Sequence, residues 1–175
     1  GKVDVVETPS GTTVTASQTV TKLSFEVIDG GALTSTGAAI KQAKFSFTGA
    51  GSVEITNDVA KDIKVLGSDY ADNVSLGDGD LGAGTTTKNA KIVTGAGADS
   101  VTAAGASLKN IKIDLGADTE ADNVTIDSDL STVKNMVIKN FGQQDTFTVG
   151  GDTYTYDQLK ADPKQFKPNI TFKFS

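Results

Sequence analysis

Through residues 20 to 150 apolar and polar residues alternate with a period of two, as in Ile111-Lys112-Ile113 and Val124-Thr125-Ile126. The three-to-four spacing of a helix face is missing there. Successive side chains of an extended segment point to opposite sides, so each such run predicts a short strand with one face inward. The strands recur inside a fixed phrase. Five copies begin at Lys41 (KQAKF), Lys61 (KDIKV), Lys88 (KNAKI), Lys109 (KNIKI) and Lys134 (KNMVI), at steps of 20, 27, 21 and 25 residues. An apolar residue precedes four of them (Ile40, Ala60, Leu108 and Val133), with Thr87 the exception. A second apolar pair follows each phrase: Val53/Ile55, Val74/Leu76, Val101/Ala103, Val124/Ile126 and Phe147/Val149. A weaker sixth copy starts near Thr21, with Leu23, Phe25 and Leu33 at the matching offsets.

Self-similarity at this period marks a stack in which no unit buries its apolar face alone and neighbours supply the core. With strand periodicity and no helical segment in each unit, the pattern predicts an all-β fold, a parallel β-solenoid of about six coils in a single domain. Coils then lie about 4.8 Å apart, and equivalent residues form ladders along the stack. The uneven steps are absorbed by insertions such as "GDGDLGAGTTT" (77 to 87) and "DSDLSTV" (127 to 133), expected to bulge at a corner. Residues 1 to 19 read as an N-terminal strand cap. Residues 151 to 175 complete a C-terminal cap: a hairpin around Gly150-Gly151, a short helix in "YDQLKADP" with Asp157 near its N-cap and Pro163 ending it, and a closing strand in "NITFKFS".

Stacking turns the phrase into columns of charge. Its first and fourth positions carry Lys41, Lys44, Lys61, Lys64, Lys88, Lys91, Lys109, Lys112 and Lys134, nine of the chain's 16 cations. They should form two adjacent outward columns. Such a stripe can focus its field on an anionic partner, whether a cell-wall polymer, an acidic host glycan or a neighbouring subunit, with Lys44, Lys64, Lys91 and Lys112 as the candidate contacts. Outward lysines also keep a long sheet soluble and block lateral pairing. Ser75, Thr102, Thr125 and Thr148 predict a hydroxyl ladder on another outward face, in keeping with strand propensity.

A glycine turn links the two strands of each coil: Gly67-SDYA-Asp72, Gly95-AGA-Asp99, Gly116-ADTEA-Asp122 and Gly142-QQ-Asp145. Each Asp stands two residues before an inward Val or Phe, so the four should lie in register. Carboxylates about 4.8 Å apart repel by roughly 1 kcal/mol in water and by several times more where water is excluded. Solvent, backbone N–H groups, lysines or a cation must relieve that repulsion. "TGAGADSVT" (94 to 102) resembles the hemolysin-type calcium-binding repeats of RTX proteins, whose G-G-x-G-x-D-x-apolar-x motif forms a parallel β-roll; "ADNVSL" and "ADNVTI" share its later half. The resemblance implies that Gly95, Gly97 and Asp99 belong to a calcium-binding turn. Acidic clustering adds Asp72, Asp78, Asp80, Asp118 and Asp122 as candidate ligands. The alternative is that Asp and Gly serve as turn formers, with Asp bonding its own backbone.

Composition narrows the chemistry further. Cys, His and Trp are absent and all 16 basic residues are Lys. That leaves no Ser-His or Cys-His nucleophile and no thiolate or imidazole metal site, so any metal would be a hard, oxygen-liganded cation, with calcium the candidate cofactor. A net charge of -6 argues against nucleic acid, and no apolar run is long enough to span a membrane. The lack of Cys fits a secreted bacterial protein, and the opening "GKVDVV" reads as an excised fragment or mature domain. The expectation is a non-catalytic structural or adhesive module of an extracellular bacterial surface-layer, adhesin or RTX-like protein, partnered by other segments of that protein, neighbouring subunits or glycan. The competing reading is a polysaccharide-active β-helix enzyme, a glycosidase or lyase using paired carboxylates. Against it stand the confinement of Asp to turns, no Trp as a sugar platform and no Arg to hold uronates.

Overall fold

A computed structural model describes residues 3–8 (backbone only), 11–78 and 84–175. Each coil contributes one strand to each of two sheets. In chain order these are β1 (Val3–Thr8) and β2 (Thr12–Ala16); β3 (Val20–Thr21), β4 (Leu23–Val27) and β5 (Ala32–Gly37); β6 (Ile40–Lys41), β7 (Lys44–Phe47) and β8 (Gly51–Asn57). Next come β9 (Val59–Leu66) and β10 (Asp72–Leu76), β11 (Thr86–Val93) and β12 (Ser100–Ala104), then β13 (Ser107–Asp114) and β14 (Asn123–Asp127). After a 3-10 turn at Leu130–Thr132 follow β15 (Val133–Phe141), β16 (Thr146–Val149), β17 (Asp152–Thr155), α1 (Tyr156–Ala161) and β18 (Ile170–Phe174).

The first sheet runs β1-β4-β7-β9-β11-β13-β15-β18, with β3 and β6 extending β4 and β7. The second runs β2-β5-β8-β10-β12-β14-β16 and ends on β17, which alone pairs antiparallel. The protein is a parallel β-solenoid, and the repeats from residue 20 onward make six coils. Within the segment expected to be a strand cap at residues 1–19, β1 pairs parallel with β4 and β2 with β5, so these two strands form the terminal rung of the stack.

The core is the space between the two inner faces, filled by ladders of one position repeated. Phe25, Phe45, Val65, Ile92, Ile113, Ile138 and Phe172 stack in register on the first sheet. Leu33, Val53, Val74, Val101, Val124 and Phe147 stack opposite them. Full burial of one such side chain is worth about 1.5–3 kcal/mol, and it is realised only when the next coil covers it. Thr87, which breaks the apolar pattern before its phrase, is buried with its neighbours.

The phrase K-N-x-K conceals a change of phase. Its second residue is left-handed in every copy: Lys22, Gln42, Asp62, Asn89, Asn110 and Asn135 have φ between 55° and 59°. One left-handed residue places two outward positions side by side, so Leu108 points in, Lys109 and Asn110 point out, and Ile111 points in again. Asn and Asp tolerate this conformation better than other non-glycine residues.

At the C-terminal end β16 and β17 form the expected hairpin on left-handed Gly150 and Gly151. The N-cap of α1 is Thr155, with Asp157 close by in the first turn; the Gln158 side chain accepts from the Thr155 N–H at 2.8 Å. The closing strand β18 covers β15, and Phe166 and Phe172 pack edge-on against Phe147 at 5.3 and 5.0 Å between centroids, which seals that end of the core.

Candidate functional site

The turns from the first sheet to the second bring Asp72, Asp99, Asp122 and Asp145 into one column. All four are buried, at 3, 2, 3 and 4 % exposure. Each carboxylate accepts from the backbone of the coil before: Asp72 N–H donates to Asp99 Oδ1 at 2.8 Å, Asp99 N–H to Asp122 Oδ1 at 2.8 Å and Asp122 N–H to Asp145 Oδ1 at 2.9 Å. The end members also close their own turns, Asp72 Oδ2 accepting from Ser68 N–H at 2.6 Å and Asp145 Oδ2 from Gly142 N–H at 2.7 Å. Both the turn-forming role of Asp and the register expected from spacing are therefore present.

Backbone donors do not discharge the column. At an effective dielectric of about 20, neighbouring carboxylates about 4.8 Å apart repel by about 3–4 kcal/mol. Burial raises the pKa of Asp122 to about 8, against the Asp99 N–H bond, and the charges of Asp145, Asp99 and Asp118 add to the rise. Burial likewise raises Asp99 to about 6, with Asp72 and Asp118 contributing repulsion. Asp72 and Asp145 are raised by burial against the N–H bonds they accept. Asp118, in the same turn as Asp122, accepts from Glu120 N–H through Oδ1, while its Oδ2 and Asp99 Oδ2 are buried without a hydrogen-bond partner.

The glycines serve close approach between coils. A Cβ on Gly116 would lie 1.8 Å from the Gly95 carbonyl oxygen, and one on Gly95 would lie 2.1 Å from that of Ser68. Gly97 likewise packs against the Tyr70 backbone. Of the other acidic residues expected at a metal, Asp78 follows β10 at the opposite corner, where its N–H donates to Thr85 Oγ1 at 2.8 Å, and Asp80 lies outside the described residues. Calcium takes six to eight oxygens, commonly from several carboxylates. In the column one oxygen of each of Asp99, Asp122 and Asp145 is committed to a backbone N–H, and among the described residues no three acidic side chains converge on one point. The column as arranged does not fit a calcium ladder.

The lysines do form two columns on the first sheet. Lys41, Lys61, Lys88, Lys109 and Lys134 are in register, as are Lys44, Lys64, Lys91 and Lys112, a series that ends at Val137. Between them runs a ladder absent from the expectations. The left-handed residues donate side chain to side chain: Asn89 Nδ2 to Asp62 Oδ1 at 2.9 Å, Asn110 Nδ2 to Asn89 Oδ1 at 3.0 Å and Asn135 Nδ2 to Asn110 Oδ1 at 2.9 Å. Its signal was the second letter of each phrase, which reads D, N, N, N from the copy at Lys61 onward. Asn89, Ala90, Lys91, Asn110 and Lys112 line a shallow hollow of about 270 Å³ on this strip. Among the described residues no lysine of the second column makes an ion pair; Lys61 lies 4.0 Å from Asp62, and Lys139 lies 3.3 Å from Asp114 beyond the strip.

Comparison with protein-family models, curated proteins and solved structures finds no match.

Proposed function

We propose that the chain is a non-catalytic structural and adhesive module of an extracellular bacterial surface protein, a rod segment that presents a basic strip to a linear acidic polymer such as an acidic cell-wall or host glycan. The observation that carries this reading is the two in-register lysine columns flanking a hydrogen-bonded amide ladder on one sheet. Lysines at the rung spacing of about 4.8 Å repel one another by roughly 1 kcal/mol per neighbouring pair in water. A polyanion laid along the strip removes that repulsion, and a field summed over many rungs exceeds that of any single lysine. Ammonium groups act as point charges, so the strip selects charge density over the detailed shape of a sugar.

The test is binding of polygalacturonate and of neutral dextran, at low and at moderate salt. The unaltered protein should retain polygalacturonate alone and lose it as salt rises. The double reversal Lys91→Glu/Lys112→Glu should weaken retention at least about tenfold. Equal binding by the double variant at low salt would leave the lysines with the role of solubility alone.

A further inference from the structure

The aspartate column ties neighbouring coils together through backbone N–H groups, but those donors do not satisfy all of its oxygens. An ionised carboxylate only accepts hydrogen bonds, whereas a carboxylic acid also donates one. Two acceptors in this corner, Asp99 Oδ2 and Asp118 Oδ2, are buried with no donor at hydrogen-bond distance, and the Thr94 hydroxyl beside Asp99 offsets only part of the burial. We propose that a shared proton, in place of a metal ion, relieves the repulsion within the Asp72–Asp99–Asp122–Asp145 column, so that the coil stack holds a proton at neutral pH and loosens as the solution becomes alkaline.

The surroundings supply no other neutraliser. The 67–72 turn faces the column with Asp72 and the hydroxyl of Ser68, the 94–99 turn with Asp99 and Thr94, the 116–122 turn with Asp118 and Asp122, and the 142–145 turn with Asp145. Asp69 and Glu120 sit at the exposed turn tips. The nearby Lys139 is engaged by Asp114, with Asn140 Nδ2 also bonded to that carboxylate at 2.6 Å. Among the described residues the charged neighbours that act on Asp99, Asp122 and Asp145 are all acidic. Burial first, and like charge second, raises Asp99 to about 6 and Asp122 to about 8.

The sign follows from linkage. A carboxyl whose pKa is higher in the folded chain than its ordinary 3.8 stabilises the fold fully below that value. The contribution is then lost as pH rises through about 6 for Asp99 and about 8 for Asp122. With one proton held by the folded chain alone, the unfolding constant should rise about tenfold per pH unit between roughly pH 6 and 8.

The experiment combines a carbon-13 carboxyl titration of the folded protein with urea unfolding across the same pH range. Asp122 should titrate near 8 and Asp99 near 6. The tenfold-per-unit slope should appear in the unaltered chain and vanish in Asp122→Asn, whose midpoint at pH 8 should equal or exceed that of the unaltered protein. Calcium chloride at about 5 mM should leave the pH 8 midpoint unmoved. If Asp122→Asn does not fold, the titration of the unaltered chain still decides. Titration of all four carboxyls below pH 5, or a calcium-induced rise of the pH 8 midpoint to its pH 5 value, would overturn the proposal.

Discussion

Two polar ladders climb this solenoid, and they solve one problem in opposite ways. At the bend of the first sheet Asn89 and Asn135 lie exposed and Asn110 half-buried, and each amide donates to the residue one coil back. At the turn into the second sheet Asp72, Asp99, Asp122 and Asp145 are buried and accept from backbone N–H groups. In a parallel stack every side chain has its own kind above and below. An amide both donates and accepts, so a column of amides completes itself at any pH. A carboxylate only accepts, so a column of carboxylates needs donors from elsewhere and repels itself as well. The same stacking rule thus yields a neutral ladder at one corner and a pH-sensitive one at the other.

The comparison can be broken at three places. The largest effect is expected from Gly116→Val at the aspartate corner. The left-handed backbone at φ 85° and a Cβ position 1.8 Å from the Gly95 oxygen should together cost more than about 4 kcal/mol in urea unfolding, at every pH. A loss under about 1 kcal/mol would mean that these turns are not in contact. Next comes Asp99→Ala, which deprives the buried Asp72 N–H of its acceptor and should cost about 1–3 kcal/mol at pH 5. At pH 8.5 the cost should shrink, because the same change removes a like charge from beside Asp122; a cost that grew with pH would reverse the sign assigned to the column. Smallest is the amide ladder. Asn110→Ala should cost about 1–2 kcal/mol, mostly from a left-handed alanine, and Asn110→Gly about 0.5 kcal/mol. Both values should be flat from pH 5 to 9, and a pH slope in either would erase the contrast between the ladders.

The architecture was legible because its cause is periodic. Alternation in Ile111-Lys112-Ile113 and recurrence of the Lys phrase together demand strands that stack, and the register of the lysine and aspartate columns follows from that alone. What escaped was the change of phase. Asn110 reads as one more polar residue beside Lys109, and only its left-handed backbone reveals why two outward positions adjoin and why the amides meet. Burial of the aspartates escaped as well, since spacing fixes their register but not how closely the glycine turns of adjacent coils approach. Asp145 was visible in its turn yet stood apart from the candidate ligands. In the structure it accepts from Asp122 N–H like the others. Residues 1–19 lack the phrase altogether, so the place of β1 and β2 as a further rung rests on backbone pairing that carries no sequence signature.

The most direct test is a trans-hydrogen-bond scalar coupling experiment on isotopically labelled protein at pH 6, reading from backbone amide nitrogens to side-chain carboxyl carbons. Couplings are predicted from Asp72 to Asp99, from Asp99 to Asp122 and from Asp122 to Asp145. Their absence, with the three amides exchanging freely with solvent, would contradict the stacked and buried column.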